Sequence, residues 1–383
     1  MGSGRDSSMP WPAAGSPAAP PARRLGGDRM CCPRAGISIR WICADCRRKP
    51  PGIWVGAVLN SCSSFTAGGG RAPAASGPVG VGDGDDAQRR RRHRPDAGLM
   101  GVRPVWDGPT RRLVDLEVIP LALLQRPRVD VTLRISGLFR DAFPQLVRWV
   151  DRALALVAGL EEDAHANPLA ARSRERGRPP RVFGSAPGAY GAGLQALIDS
   201  GQWEEQGDLA DAFLSWSRWA YDGQGEPQED REGLERSLSE VQVVLHNQDN
   251  REHDLLDSDD YYQFQGGLAA AVTAVRGRPA ALWFADHSRR ERLRLHPLGK
   301  EIDKVMRSRL LNPRWIEGMR GHGYKGAFEM AASLDYLFAY DASSGVVQNW
   351  CYAAVQDAWL EDSENRTFLI RHNPWALRDM AER

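Results

Sequence analysis

The chain predicts an α/β fold in which strand-turn-helix units are followed by an all-helical C-terminal layer and preceded by a disordered N-terminal region. Three observations carry that expectation. Through the middle of the chain, short apolar runs at period two alternate with longer runs at helical spacing. From Leu298 onward helical spacing continues almost to the end, whereas Met1 to about Asp96 shows no sustained period of either kind.

Bulk properties bound the answer before any motif does. A length of 383 residues allows two or three domains, and 42% apolar content suffices for a sizeable core. The net charge of +1 hides a basic N-terminal third, so neither nucleic acid nor a membrane surface follows as a partner. Of six cysteines, Cys31, Cys32, Cys43, Cys46 and Cys62 lie early and only Cys351 lies in the part that reads as folded, which favours a reducing cytosol. No run reaches the roughly 18 apolar residues that cross a bilayer, and the N-terminus lacks the apolar core of a secretion signal. The expected location is cytoplasmic.

The chain divides into residues 1–98, 99–297 and 298–383. The first is rich in Gly, Pro, Ala, Ser and Arg, a composition that cannot offset chain entropy by burial. Two readings compete for it: a native disordered leader, or out-of-frame or wrongly started translation, which the mixture favours. Within it, Cys43 and Cys46 form one CxxC without a second pair at zinc-ribbon spacing, and the basic run Arg89–Arg94 has no fold or interleaved aromatic residues to support nucleic-acid binding.

Order begins near Gly101. Val129, Val131, Leu133 and Ile135 alternate with Asp130, Thr132 and Arg134, a half-buried strand ending at a Ser136-Gly137 turn. Phe139, Phe143, Leu146, Val147, Val150, Leu154 and Val157 then recur at helical spacing. Arg181 to Phe183 is a short second strand running into the glycine-rich GSAPGAYGAG, and Ala280 to Ala285 is a third, ending at Asp286-His287-Ser288. Helices are expected at Leu194 to Ile198, at Leu209 to Tyr221, and through Leu234, Leu238, Val241 and Leu245 up to His246-Asn247. In the C-terminal layer, breaks fall at Asn312-Pro313, Gly321 to Gly323, Ser343 to Gly345 and Asn373-Pro374.

The densest polar stretch is NQDNREHDLLDSDDYYQFQGG, Asn247 to Gly267. Asp254, Asp257, Asp259 and Asp260 lie so close in sequence that they raise one another's pKa unless a cation or a basic group intervenes. With His253 they suit a first-row divalent metal, or could accept protons. The competing reading is a helix cap at Asp257 or Ser258 with the remaining acids solvated. In Gly184 to Gly193 neither dinucleotide nor phosphate-loop spacing occurs; the loop is either a close approach to a flat ligand with Tyr190 available to stack, or a tight turn needing positive φ. Glu329, among Phe328, Met330 and Ala331, is a partly buried proton shuttle or the partner of an arginine such as Arg320. His287 is a ligand or a loop cap.

Read in order, RPRVDVTLRISGLFRDAFPQ, RVFGSAPGAYGAGLQALID, NQDNREHDLLDSDDYYQFQGG, LNPRWIEGMRGHGYKGAFEMA and DYLFAYDASSGVVQNWCY resemble consecutive signature stretches of the CobN-type cobaltochelatase large subunit, and more loosely the large subunit of magnesium chelatase. The resemblance spans about Leu99 to Arg383. It implies insertion of Co2+, the substrate metal, into hydrogenobyrinic acid a,c-diamide in cobalamin biosynthesis, with ATP used by separate AAA+ ATPase subunits and not bound here. It further implies ligand or proton-acceptor roles for His253, Asp257, Asp259, Asp260 and Glu329, with His253, Asp257 and Asp260 toward the metal. Ser136, Arg140, Tyr190, Tyr261 and Tyr262 are then expected to hold the ring and its substituents. Members of that family are much longer, so the expectation is a fragment inactive on its own. The alternative is a non-catalytic tetrapyrrole-binding or ATPase-docking module of the magnesium chelatase kind.

Overall fold

The computed structural model describes residues 40–44 and 99–383, apart from 107–112, 125, 223–224, 249–252 and 287–293. All fall within one unit, Ala35–Arg383. Arg89–Arg94, the partner cysteines of Cys43 and His287 lie outside the described residues.

Among the described residues there are ten strands: β1 (Arg40–Ala44), β2 (Val102–Trp106), β3 (Leu113–Val118), β4 (Asp130–Arg134), β5 (Val182–Gly184), β6 (Trp219–Ala220), β7 (Gln228–Glu229), β8 (Val241–Gln248), β9 (Ala281–Asp286) and β10 (Arg294–Pro297). β2 and β3 make a separate antiparallel ribbon; the other eight form one sheet in the order β10-β9-β8-β1-β4-β5-β6-β7. β4 runs parallel to β5 and β8 parallel to β9, while β1 is antiparallel to both β4 and β8. It follows that β4, β5, β8 and β9 all point the same way. Their carboxyl ends therefore deliver the Ser136 turn, the glycine-rich loop, the acidic stretch and Asp286 to a single sheet edge, where ligands of open α/β sheets bind.

Alternation along these strands serves two cores. Phe183, Val244 and Phe284 face one, built with the helices of the C-terminal half. Val182, Leu245 and Ala285 face the other, against the helix Pro144–Ala158. β4 is consequently buried along its whole length, not on one face as its alternating pattern predicts. Its polar positions are satisfied internally: Asp130 accepts from Arg181 at 2.7 and 2.8 Å and pairs with Arg172. The Arg134 guanidinium donates to Ser217 Oγ at 3.0 Å and to the Gly191 carbonyl at 3.1 Å, and lies 4.6 Å from the centre of the Phe264 ring.

Two expected helices give way here. The helix expected through Leu234 to Leu245 is two elements, the helix Arg231–Leu238 and then β8. Leu234, Leu238, Val241 and Leu245 fit helical spacing, but Val243-Val244-Leu245 is a continuous apolar run of β-branched character, the mark of a strand covered on both faces. Arg40–Ala44, in a region without a sequence period, pairs between β4 and β8; five residues are too few for periodicity to register. Likewise the Leu209 to Tyr221 helix ends at Ser217 and gives way to β6.

From Leu298 the chain is helical: Leu298–Val305, Pro313–Gly321, Tyr324–Ser344, Asn349–Val355, Ser363–His372 and Pro374–Glu382. Asn312 and Asn373 cap the helices that begin at Pro313 and Pro374, each side-chain oxygen accepting a backbone N–H. Among the described residues three π-helical turns, Tyr262–Gly266, Met306–Leu310 and Gln356–Glu361, each continue an α-helix. Among the described residues no helix is long and apolar enough to cross a membrane.

Candidate functional site

Ser136, at the end of β4, caps the helix Gly137–Ala142 by accepting the Phe139 N–H at 3.1 Å. One turn later Arg140 reaches across to the glycine-rich loop, donating to the carbonyls of Ser185, Ala186 and Ala189 at 2.8–3.3 Å. The same guanidinium grips Asp141 through two bonds of 2.6 and 2.8 Å. Asp141 in turn accepts the Tyr190 hydroxyl at 2.8 Å. That grip, foremost, holds the Asp141 carboxyl below the usual range. Tyr190 remains exposed at the loop tip, its ring beside Arg140. Gly188 and Gly193 carry φ of +79° and +88°, so the loop is a tight turn; a Cβ at Gly193 would fall 2.3 Å from Trp216.

The acidic stretch splits into two groups. Asp254 and Asp257 converge on Arg309 of the C-terminal layer, at 2.8 and 2.5 Å. Asp257 also accepts the Asp254 N–H at 2.7 Å, closing a small turn. Burial pushes the Asp254 carboxyl up and the Asp257 charge adds to it, while Arg309 opposes both. The cation that sequence reasoning asks for between these carboxylates is thus supplied by a guanidinium more than fifty residues away, with no local signal to announce it.

Asp259 and Asp260 begin the next helix, Asp259–Tyr261, which Ser258 caps through the Asp260 N–H at 3.3 Å. Asp259 accepts from Gln263 at 2.6 Å, and Gln263 accepts the Ala192 N–H at 3.3 Å with its own oxygen. Gln263 thereby ties the acidic segment to the glycine-rich loop. The hinge of this arrangement is the π-helical turn Tyr262–Gly266, which carries Gln263 inward.

Tyr261 and Tyr262 are both buried but point to different neighbours. Tyr261 meets the His246 ring edge-on at 5.4 Å, whereas Tyr262 packs at 6.1 Å from Tyr336 and lines a surface cleft. Burial, then Asp259 and Asp199, push the Tyr262 phenol up. Glu329 lies half-buried on the helix Tyr324–Ser344, and with Asp259 it raises the Tyr336 phenol, an effect second to burial. Arg320 is engaged instead by Glu317 and by Glu364 at 2.6 Å. The His253 side chain is exposed, and its carbonyl accepts from Gln248.

The structure therefore gathers Ser136, Arg140 and Tyr190 in one group. Asp259, Tyr262 and Glu329 share electrostatic contact around Tyr336, Asp257 joins Asp254 and Arg309, and His253 belongs to none of the three groups. Among the described residues no three His, Cys, Asp or Glu side chains converge closely enough to hold a metal ion. Sequence reading passed over Arg309, Gln263, Asp141, Asp199 and Tyr336. Only Asp141, adjacent to Arg140, carried a local signal.

Comparison with known proteins now bears on this edge of the sheet. The family profile described as CobN/Magnesium Chelatase matches residues 97–383. The chain belongs to that family. It is 51% identical over 301 residues to the aerobic cobaltochelatase subunit CobN of Pseudomonas aeruginosa, covering 74% of this chain and 24% of that protein. Against the subunit of the same name from a Sinorhizobium species the identity is 47%, with the same coverage. The solved catalytic subunit of cobaltochelatase from Mycobacterium tuberculosis superposes with a TM-score of 0.72 at 46% identity, over 74% of this chain and 25% of that one. This CobN/magnesium chelatase chain thus spans about a quarter of the length of the relatives it matches.

Proposed function

We propose that this chain is a part of a cobaltochelatase large subunit, which inserts Co2+ into hydrogenobyrinic acid a,c-diamide in cobalamin biosynthesis. The reaction runs in the cytoplasm, ATP being consumed on separate AAA+ subunits, and the chain is inactive without the remainder of the large subunit. The observation that carries this reading is the convergence of four parallel strand ends on one edge, where Gln263 joins the glycine-rich loop to the acidic segment. The likeness to two CobN subunits supports the choice of cobalt.

Inserting a divalent ion requires stripping its water, deforming the macrocycle and removing two pyrrole protons. Tyr190, exposed at the loop tip, offers a flat ring to the macrocycle, and Arg140 beside it matches peripheral carboxylates. Ser136 fixes the helix that carries Arg140, and Tyr261 and Tyr262 wall the far side. Asp259 and Glu329, whose charges meet at Tyr336, accept the pyrrole protons. His253, Asp257 and Asp260 receive the metal, Asp257 exchanging Arg309 for the incoming ion.

A chimera tests the proposal. Residues 99–383 replace the corresponding segment of the Pseudomonas aeruginosa subunit, and cobalt insertion is followed by the change in corrin absorption with the ATPase subunits present. Insertion is expected from the chimera and not from the chain alone. A folded chimera without insertion refutes the function, and His253→Ala or Asp257→Asn variants with full activity refute the metal roles.

A further inference from the structure

The surface cleft that Tyr262 lines lies between the helix Gln195–Ser200 and the last helix, Pro374–Glu382, floored by the helix Tyr324–Ser344. Its volume is about 330 Å3. That is the low end of the roughly 300–1,000 Å3 typical of ligand pockets, the scale of one or two side chains and too small for a macrocycle. Its walls carry three carboxylates, Asp199, Asp335 and Asp379, and no basic side chain lines it. Asp335 is held at 2.8 Å by Arg383, but Asp199 and Asp379 have no ion-pair partner among the described residues.

Two further features mark this as more than an acidic patch. Tyr262 is 98% buried and lines the floor, yet no hydrogen bond engages its hydroxyl among the described residues. Its hydroxyl is not one of the buried side-chain atoms left without a hydrogen bond, so although the ring is enclosed the hydroxyl opens on the cleft, where a group that enters from outside can meet it. Around the mouth stand Tyr324, Phe328 and Trp375, exposed by 63, 57 and 70% respectively. Large exposed rings on one rim are characteristic of protein interfaces.

Carboxylates with aromatic faces select a cation, and a planar one best. A guanidinium offers a fork of donors for two carboxylates and a face that stacks on rings, whereas an ammonium offers a point charge. The chain supplies its own example at the cleft's edge: Arg383 donates to Asp335 while lying 4.5 Å over the Phe338 ring.

We propose that this cleft is a docking site for a protein partner, which inserts an arginine side chain between Asp199 and Asp379 and buries flanking apolar residues against Tyr324, Phe328 and Trp375. The Tyr262 hydroxyl accepts one guanidinium N–H at the base of the cleft. The cleft shares Tyr262 and Tyr336 with the ring-holding and proton-accepting roles proposed above, but the docking reading does not rest on those roles and its test reads peptide binding alone.

The test uses the full chain, labelled with 15N, and an acetylated, amidated pentapeptide Gly-Leu-Arg-Leu-Gly. Its twin carries citrulline, which keeps the shape and loses the charge. The Trp375 indole resonance, assigned with Trp375→Phe, reports binding. The arginine peptide is expected to shift it saturably and to bind at least tenfold more tightly than the citrulline peptide. Asp199→Asn with Asp379→Asn is expected to weaken that binding at least fivefold with an unchanged melting temperature. Equal binding of the two peptides, no shift with either, or full affinity in the double variant overturns the proposal. Asp379→Asn alone, on an exposed helix face, serves if the double variant does not fold.

Discussion

Replacing Arg309 by methionine removes the cation between Asp254 and Asp257 while keeping the length of the side chain. The three side chains are 11–22% exposed, and Arg309 also donates to Ser333 at 3.2 Å and lies beside Trp315. Breaking a fully buried pair costs about 3–5 kcal/mol and an exposed pair about 0–1 kcal/mol, which sets the loss here at about 2–3 kcal/mol. At about 2–4 °C per kcal/mol for a domain of this size, the melting temperature falls by about 4–12 °C at pH 7. The deficit has a sign with pH. Burial and the Asp257 charge already raise the Asp254 carboxyl, and removal of Arg309 raises it further. Loss of stability is therefore full at neutral pH and shrinks as the pH falls and the Asp254 carboxyl takes up a proton. Calorimetry from pH 7 to pH 4 reads both effects. A variant that melts within about 1 °C of the parent at pH 7, or whose deficit grows in acid, refutes the account of Arg309. Co2+ supplies a second arm: at a hundred times its Kd for the vacated pair it restores about 2.7 kcal/mol. No upward shift with Co2+ sinks the metal role of Asp257 alone.

Gln263→Leu strands the Ala192 N–H and one Asp259 oxygen, a loss of about 1–3 kcal/mol; hydrogen exchange at Ala192 is expected to accelerate, and unchanged protection there would show that Gln263 does not hold the loop. Gly326→Ala places a methyl 1.9 Å from the Met319 carbonyl oxygen, where the helices Pro313–Gly321 and Tyr324–Ser344 cross, and costs about 1–3 kcal/mol by denaturant unfolding. Cys351 is fully buried, and burial pushes its thiol up to about 11. Site-resolved alkylation at pH 8 should label it far more slowly in the native chain than in urea, and equal rates would contradict the burial. By the same linkage, the stability its neutral form contributes is present below the free thiol's range and is lost as the pH rises toward 11.

Much of the architecture is legible in the sequence because it rests on short-range pattern. The β4 alternation, the handover at Ser136, the strand before the glycine-rich loop and the asparagine-proline helix starts at Asn312 and Asn373 all follow from residues within a few positions of one another. Val241 to Leu245 misleads because its spacing satisfies a helix as well as a strand, and only pairing with β1 and β9 decides between them. The site divides the same way. Clustered acids from Asp254 to Asp260 are plain in the sequence, but what each faces is not: Asp254 and Asp257 meet Arg309, and Asp259 meets Gln263.

What the sequence determines by itself is three of the strands, most of the helices, the order of their polar ends and the family to which they belong, because each is written in neighbouring residues or in long ordered motifs. The tertiary structure alone decides that four parallel strands open on one edge, that Arg309 answers two carboxylates and that Tyr262 looks into an acidic, ring-rimmed cleft. Those facts depend on contacts between residues tens of positions apart, where packing and charge select one neighbour among many and local pattern carries no trace of the choice.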